Sequence, residues 1–189
     1  MSTHEKHTLV SLLAKRSARR GSFVLASGKQ SSLYIDARLT TMSPEGLSLI
    51  GPLGLDAIRN AQWAADSVGG LTLGADPIAY SISYASAHTA SPIRAFTVRK
   101  EAKTHGTGKL IEGPFAAGDR VVIVEDVITT GSSAARAVES VRAAGGTVLG
   151  VLALVDRDEG GRESLERLGL PVVSLVSASE ILAVSATDE

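Results

Sequence analysis

The chain contains no cysteine. Disulfide frameworks, thiolate zinc sites and cysteine nucleophiles are therefore excluded, and the composition fits a reducing compartment. No apolar run approaches the roughly 18 residues of a membrane span; the longest, such as residues 151–155, have strand length. The N-terminus carries His4, Glu5, Lys6 and His7 and lacks the apolar core of a signal peptide. The expectation is a cytoplasmic protein with no membrane partner. An excess of charge of either sign is missing too: 19 Lys and Arg stand against 20 Asp and Glu, a formal charge of -1. That balance gives no global electrostatic case for nucleic acid. Internal repeats and low-complexity segments are also absent. What is present is an ordinary globular composition, 44% hydrophobic and 21% charged over 189 residues, long enough to bury a sizeable core. At about 100–200 residues per domain, residues 1–189 are expected to form one.

Hydrophobic spacing predicts strands alternating with helices. Leu9, Leu12 and Leu13 predict an amphipathic helix over 5–18, and residues 33–37 alternate like a strand. Ser43-Pro44 reads as an N-cap with proline at the first helical position, opening a helix that runs to Asn60 and is disturbed near Pro52. Strands follow at 68–73, 93–98, 121–124, 148–155 and 172–176. Between them lie helices at 78–85, opened by Asp76-Pro77, along Ala134, Val138 and Val141, and at 165–168. Such alternation implies an α/β protein with a mostly parallel sheet covered on both faces. Ligands of such sheets bind beyond the carboxyl ends of the strands.

At that end of the most apolar strand stand Glu125 and Asp126, then Val127, Ile128, Thr129, Thr130, Gly131, Ser132 and Ser133. Two carboxylates beside a buried strand are costly unless they face a polar ligand, such as sugar hydroxyls or a metal ion. The hydroxyl-rich loop leads into a helix start, whose backbone N–H groups suit a phosphate. The same loop also suits ordinary helix capping. No Gly-Lys-Thr or Gly-Lys-Ser follows, so this is not a Walker loop.

A second feature is a basic, glycine-containing loop with Arg99, Lys100, Lys103, His105, Gly106, Gly108 and Lys109. Cations crowded into one loop suit a polyanion such as diphosphate, though a solvated charged loop has the same composition.

Residues 121–133 resemble the phosphoribosyl pyrophosphate (PRPP) signature of the type I phosphoribosyltransferases: four hydrophobic residues, two acidic ones, then a Thr/Gly/Ser loop. The spacing Arg-Lys-x-x-Lys-x-His-Gly at 99–106 resembles the lid of the orotate phosphoribosyltransferases. Segments 23–32 and 34–36 resemble that family's hood, and Arg157 at a strand end resembles its orotate-binding arginine. The resemblance covers roughly residues 20–180. It implies a central five-stranded sheet flanked by helices, a hood of approximately 1–40 plus the C-terminal segment, and a core of approximately 41–175. It also implies transfer of ribose 5-phosphate from PRPP to orotate, in pyrimidine synthesis, with Mg²⁺ held mainly through PRPP. Lys103 and Asp126 take catalytic roles by this resemblance. Arg99, Lys103, His105, Glu125, Asp126 and residues 127–133 bind PRPP, with Thr129 and Arg157 on orotate. Lys100 enters the neighbouring subunit's site, which implies a homodimer. Two departures stand out: Ala26 replaces a usual lysine of the hood, and Thr72-Leu73-Gly74 replaces a usual Tyr-Lys-Gly. Rival readings are a phosphoribosyltransferase for another nucleobase, which predicts a different lid, and a PRPP-sensing regulator, which predicts an added DNA-binding domain.

Overall fold

The computed structural model describes residues 3–24, 30–101 and 109–185. Its elements run α1 (Thr3–Arg16), β1 (Ala18–Val24), β2 (Gln30–Ile35), α2 (Arg38–Thr41), α3 (Pro44–Asn60), β3 (Ser67–Leu71), α4 (Ala75–Ser86) and β4 (Arg94–Val98). After β5 (Ile111–Glu112) come β6 (Arg120–Ile128), α5 (Ser132–Ala143), β7 (Thr147–Asp156), α6 (Gly161–Glu166), β8 (Val172–Ser177) and α7 (Ala178–Ser185).

The main sheet has the order β5-β4-β3-β6-β7-β8. Its four parallel pairings follow expectation, joining β4, β3, β6, β7 and β8 into a five-stranded parallel sheet. A sixth strand was not foreseen: β5, two residues long, adds antiparallel to β4. In β6, alternate side chains point to opposite faces. Val122 and Val124 join Ile50, Leu53, Ile58, Ile78 and Ile82 of α3 and α4, a core that Leu9, Leu13 and Ile181 extend. Val121 and Ile123 join Ala134, Val138 and Val141 of α5 on the other side. Burial on both faces explains why this strand carries an unbroken apolar run.

The chain steps outward from β3 to β4 and then crosses back to β6 on the far side of β3. The strand order thus reverses between β3 and β6, where crevices form in open α/β sheets. Pairing between these two strands ends at Gly69 with Ile123, while β6 runs on to Ile128 against β7.

Over this crevice lies a separate antiparallel hairpin of β1 and β2. It is tied down by Asp36 N–H to the Ser17 carbonyl at 2.9 Å, by a buried Ser17–Thr40 hydroxyl bond of 2.8 Å, and by Arg20 Nη2 to the Leu182 carbonyl at 2.9 Å. The strand β1 was not expected, nor was α7, whose Glu180 pairs with Lys6 of α1 at 2.7 Å.

Two local expectations need correction. Pro52 lies inside an uninterrupted α3. Asp76 is not a cap: α4 begins one residue earlier with Gly74 at its N-cap position and no side-chain cap bond. No helix among the described residues is long and apolar enough to cross a membrane. Ser43 does cap α3, accepting from the Gly46 N–H at 3.1 Å. Its replacement by Ala is expected to cost about 1 kcal/mol in chemical denaturation, as N-cap losses do.

Candidate active site

Beyond the carboxyl ends of β3 and β6 opens a cleft of about 270 Å³. One wall is the hairpin end, from Tyr34 to Arg38; the other is the turn from Leu71 to Gly74; Glu125, Asp126, Val127, Ser133 and Lys100 complete it. The acidic pair belongs to the strand itself rather than following it, because β7 carries β6 on past the point where β3 departs.

Glu125 is buried, and its Oε2 has no hydrogen-bond partner among the described residues. Burial, joined by the neighbouring Asp126 charge, pushes its pKa up to about 8. Burial also pushes Asp126 up, against the pull of backbone N–H groups and of the Arg38 guanidinium. Asp126 Oδ1 accepts the Val127 N–H at 2.9 Å. Its other flank is closed by Gly74: a Cβ there would lie 2.4 Å from the Asp126 carboxyl carbon. Only glycine lets the turn approach so near.

That turn is anchored from below. Thr72 Oγ1 donates to Asp76 Oδ2 at 2.7 Å, and Thr97 Oγ1 donates to Asp76 Oδ1 at 2.8 Å. Tyr80 joins the same chain through its hydroxyl, 2.8 Å from Thr97 Oγ1. Leu73 is more than half exposed beside the cleft and brings no charge.

After β6 the chain turns at Gly131, which has a φ of +79°, and enters α5 without a side-chain cap. Of the first-turn N–H groups, that of Ser132 donates to Thr130 Oγ1 at 3.5 Å, which leaves those of Ser133 and Ala134 for an anion. Thr130 Oγ1 donates to Ser132 Oγ at 3.2 Å above them. Of the expected PRPP residues in this segment, Ile128 contributes backbone alone: its side chain is buried in the core and its carbonyl accepts the Arg157 N–H.

The remaining expected residues disperse. Lys100 borders its own chain's cleft, with its carbonyl accepting from Arg136 Nη2 at 2.9 Å. Arg99 is absent from the lining; its guanidinium stands 3.6 Å from Glu112. Lys109 lies by Leu110 and Phe115, beside a different hollow. Arg157 is buried at the end of β7 and donates through Nη2 to Glu159 at 2.7 Å and to the Leu33 carbonyl of the hairpin at 2.9 Å. Lys103, His105, Gly106, Gly108 and Ala26 lie outside the described residues. Sequence reasoning missed Arg38, whose signal was Asp36 two positions earlier: Nε and Nη2 of Arg38 donate to the two Asp36 oxygens at 2.8 and 3.0 Å.

Among the described residues, no group of three or more His, Cys, Asp or Glu is placed to hold a metal. Mg²⁺ commonly uses only one or two carboxylates, completed by water and substrate phosphates. Asp126 and the orphaned Glu125 oxygen fit that mode.

A parallel sheet with an acidic strand end and an anion cradle at its switch point defines a phosphoribosyltransferase-like site. In fold, the chain is similar to a phosphoribosyltransferase from Corynebacterium diphtheriae, with TM-score 0.83, 35% identity and coverage of 95% of this chain and 99% of that one. It is also similar to Mycobacterium tuberculosis H37Rv orotate phosphoribosyltransferase in complex with PRPP, with TM-score 0.79, 39% identity and coverage of 94% and 98%. In sequence, it is 47% identical over 181 residues to the orotate phosphoribosyltransferase of Aquifex aeolicus (strain VF5), covering 94% of this chain and 98% of that one. No family model matches the chain. On these likenesses the chain belongs to the orotate phosphoribosyltransferases.

The raised Glu125 pKa makes a stability prediction. The folded state holds this proton more tightly than the unfolded one, so the contribution is full below about pH 4.5 and is lost as pH rises through about 8. Between those limits, Glu125→Gln is expected to flatten the decline of Tm with pH relative to the parent. Parallel Tm–pH curves for the two proteins would place the Glu125 pKa in the ordinary range.

Proposed function

We propose that this chain transfers the ribose 5-phosphate of PRPP to N1 of orotate, releasing pyrophosphate and orotidine 5′-monophosphate. The observation that carries this reading is the single cleft joining the Glu125–Asp126 pair to the uncapped start of α5. The 5-phosphate sits on the loop from Thr129 to Ser133, where N–H groups and hydroxyls converge. The ribose hydroxyls donate to Asp126 and to the Glu125 oxygen that has no partner among the described residues. Hydroxyl donors favour ionised Glu125, so its proton is released as PRPP binds.

The N1–C1 bond forms as the C1–O bond breaks, the electron pair of the broken bond leaves on diphosphate, and the proton of orotate N1 is released to water. Charge builds on the ring as in glycoside chemistry, so positioning and neutralisation of the leaving group supply the rate. Bound Mg²⁺, held by Asp126 and Glu125 and by PRPP itself, would share the diphosphate charge. Arg99, Lys103 and His105 supply further positive charge by the family resemblance, with Lys103 the catalytic lid cation. Arg157 and Thr129 serve orotate. Arg157 is already pinned by Glu159, so the base carboxylate shares a guanidinium whose orientation is fixed in advance. The whole chain acts as one catalytic domain, with the hairpin and α7 forming the hood.

The acting unit is a cytoplasmic homodimer. An apolar groove between α3 and α4, lined by Leu47, Pro52, Tyr80, Tyr84 and Ala85, supports an interface, and Tyr84 is 81% exposed. In that dimer Lys100 completes the partner's site.

The reaction itself is tested by the loss of orotate absorbance, which should require PRPP and Mg²⁺ and should not respond to adenine, hypoxanthine or uracil. Orotate consumption without PRPP, or none with it, would sink the reading. Asp126→Asn is expected to lower kcat at least about tenfold, since a charged hydrogen bond is worth about 1.5–3 kcal/mol. Unchanged kcat and KM would remove its role. Lys100→Ala and Asp126→Asn homodimers, both impaired, should regain activity when dissociated and re-annealed together, because mixed dimers carry one intact site. No recovery, with heterodimers verified by mass, would return Lys100 to the cleft of its own chain.

A further inference from the structure

We propose that Arg38, held in plane by Asp36, is a substrate-binding residue of this chain that grips the diphosphate group from the hairpin side of the cleft. The proposal rests on the reading above.

The cleft needs cations and has few. Among the described residues lining it, Arg38 and Lys100 are the only positive side chains, and Arg38 is the only guanidinium. The turn that faces Asp126 offers Leu73 where a charge would be useful. Arg99 and Arg157, the other arginines expected to meet substrate, are engaged with Glu112 and Glu159.

The geometry of Arg38 suits an anion. Asp36 takes Nε and Nη2 in a fork, and also the Arg38 backbone N–H at 3.2 Å. Nη1 has no partner among the described residues, so both of its protons are free for a ligand. A guanidinium is planar, so fixing one edge fixes the other. The side chain is half exposed, yet it does not wander: Arg38 opens α2, and the preceding Ala37 is buried. This is a donor pair oriented before the ligand arrives, which lowers the ordering cost of binding.

Position favours diphosphate over the orotate carboxylate. Arg38 lies close enough to Asp126 for each to feel the other's charge. Asp126 is the residue assigned to the ribose and its metal, and the diphosphate hangs from that same ribose. Arg38 borders the same small cavity as Asp126, and together with the lysine that a partner subunit brings in by the reading above it makes two cations, which suit a polyanion better than a single carboxylate.

The test measures binding of inorganic pyrophosphate, ribose 5-phosphate and orotate by calorimetry at fixed Mg²⁺, for the parent chain, Arg38→Ala and the double variant Asp36→Asn/Arg38→Ala. The double variant matters because Arg38→Ala alone leaves Asp36 as a bare negative charge. In both variants pyrophosphate affinity is expected to fall at least about tenfold, the scale of one charged hydrogen bond. Ribose 5-phosphate, which lacks the diphosphate, should bind as it does to the parent. Unchanged pyrophosphate affinity in Arg38→Ala would overturn the proposal. So would full restoration in the double variant, which would make Arg38 merely the neutraliser of Asp36. A loss confined to orotate would assign Arg38 to the base instead and overturn the diphosphate role. Failure of the parent chain to bind pyrophosphate would overturn this proposal and the proposed function together.

Discussion

In a buried parallel sheet each backbone N–H and C=O must find a partner, and this holds adjacent strands side by side for as long as both continue. Here that rule is satisfied asymmetrically. The β3–β6 ladder stops at Gly69 and Ile123, while the β6–β7 ladder continues to Ile128 and Asp156. The last residues of β6 are therefore held firmly on one side and open on the other. The cleft is that open side. Its floor is as rigid as the core beneath it, because Val121 to Val124 are clamped between two helical layers. Its rim is a turn, which can carry chemistry without having to carry the fold.

The electrostatics follow from this geometry. A carboxylate at the end of a clamped strand cannot swing into solvent. Glu125 therefore holds its proton to about pH 8 rather than bear a desolvated charge. Asp126 is less extreme because a backbone N–H and the Arg38 guanidinium offset part of its burial. The site is thus poised below full charge, and Glu125 Oε2, which has no hydrogen-bond partner among the described residues, is left for a donor from a ligand. The Asp36–Arg38 fork on the opposite wall has its charges already matched, so its orientation survives changes around it.

Much of this was legible in the residues. The strand at 121–124 is unmistakable because burial on both faces demands an unbroken apolar run. The Ser43-Pro44 start was legible because capping is a local matter settled within four residues. What escaped notice was set by distant contacts. The strand β1 reads Ala-Arg-Arg-Gly-Ser-Phe-Val, with little apolar alternation, and exists because β2 pairs with it. The two residues of β5 are too few for any pattern. Asp76 looked like a cap because acidic residues favour helix starts. Its actual partners, Thr72 and Thr97, lie on either side of a crossover that spacing alone does not reveal. Arg38 was not singled out at all: Asp36 two positions earlier marks a local pair, but no local pattern says that the hairpin folds over a cleft. Arg157 was placed correctly at a strand end, but its burial and its hold on Leu33 depend on the hairpin closing down. The membership in the orotate phosphoribosyltransferases was carried by the two motifs at 99–106 and 121–133, whose spacing is local.

The turn from Thr72 to Gly74 has a consequence for how such a site can change over generations. Its tether runs through Asp76 and the Thr72 hydroxyl, and its fit against Asp126 runs through Gly74. Leu73, between them, projects into solvent and bears on neither. One position of the rim is therefore free to drift while its neighbours are locked. A charge placed there would cost the fold nothing, and it would share its task with the grip proposed for Arg38 on the opposite wall. Lineages that share this scaffold can exchange the wall from which they hold an anion without passing through an unfolded intermediate.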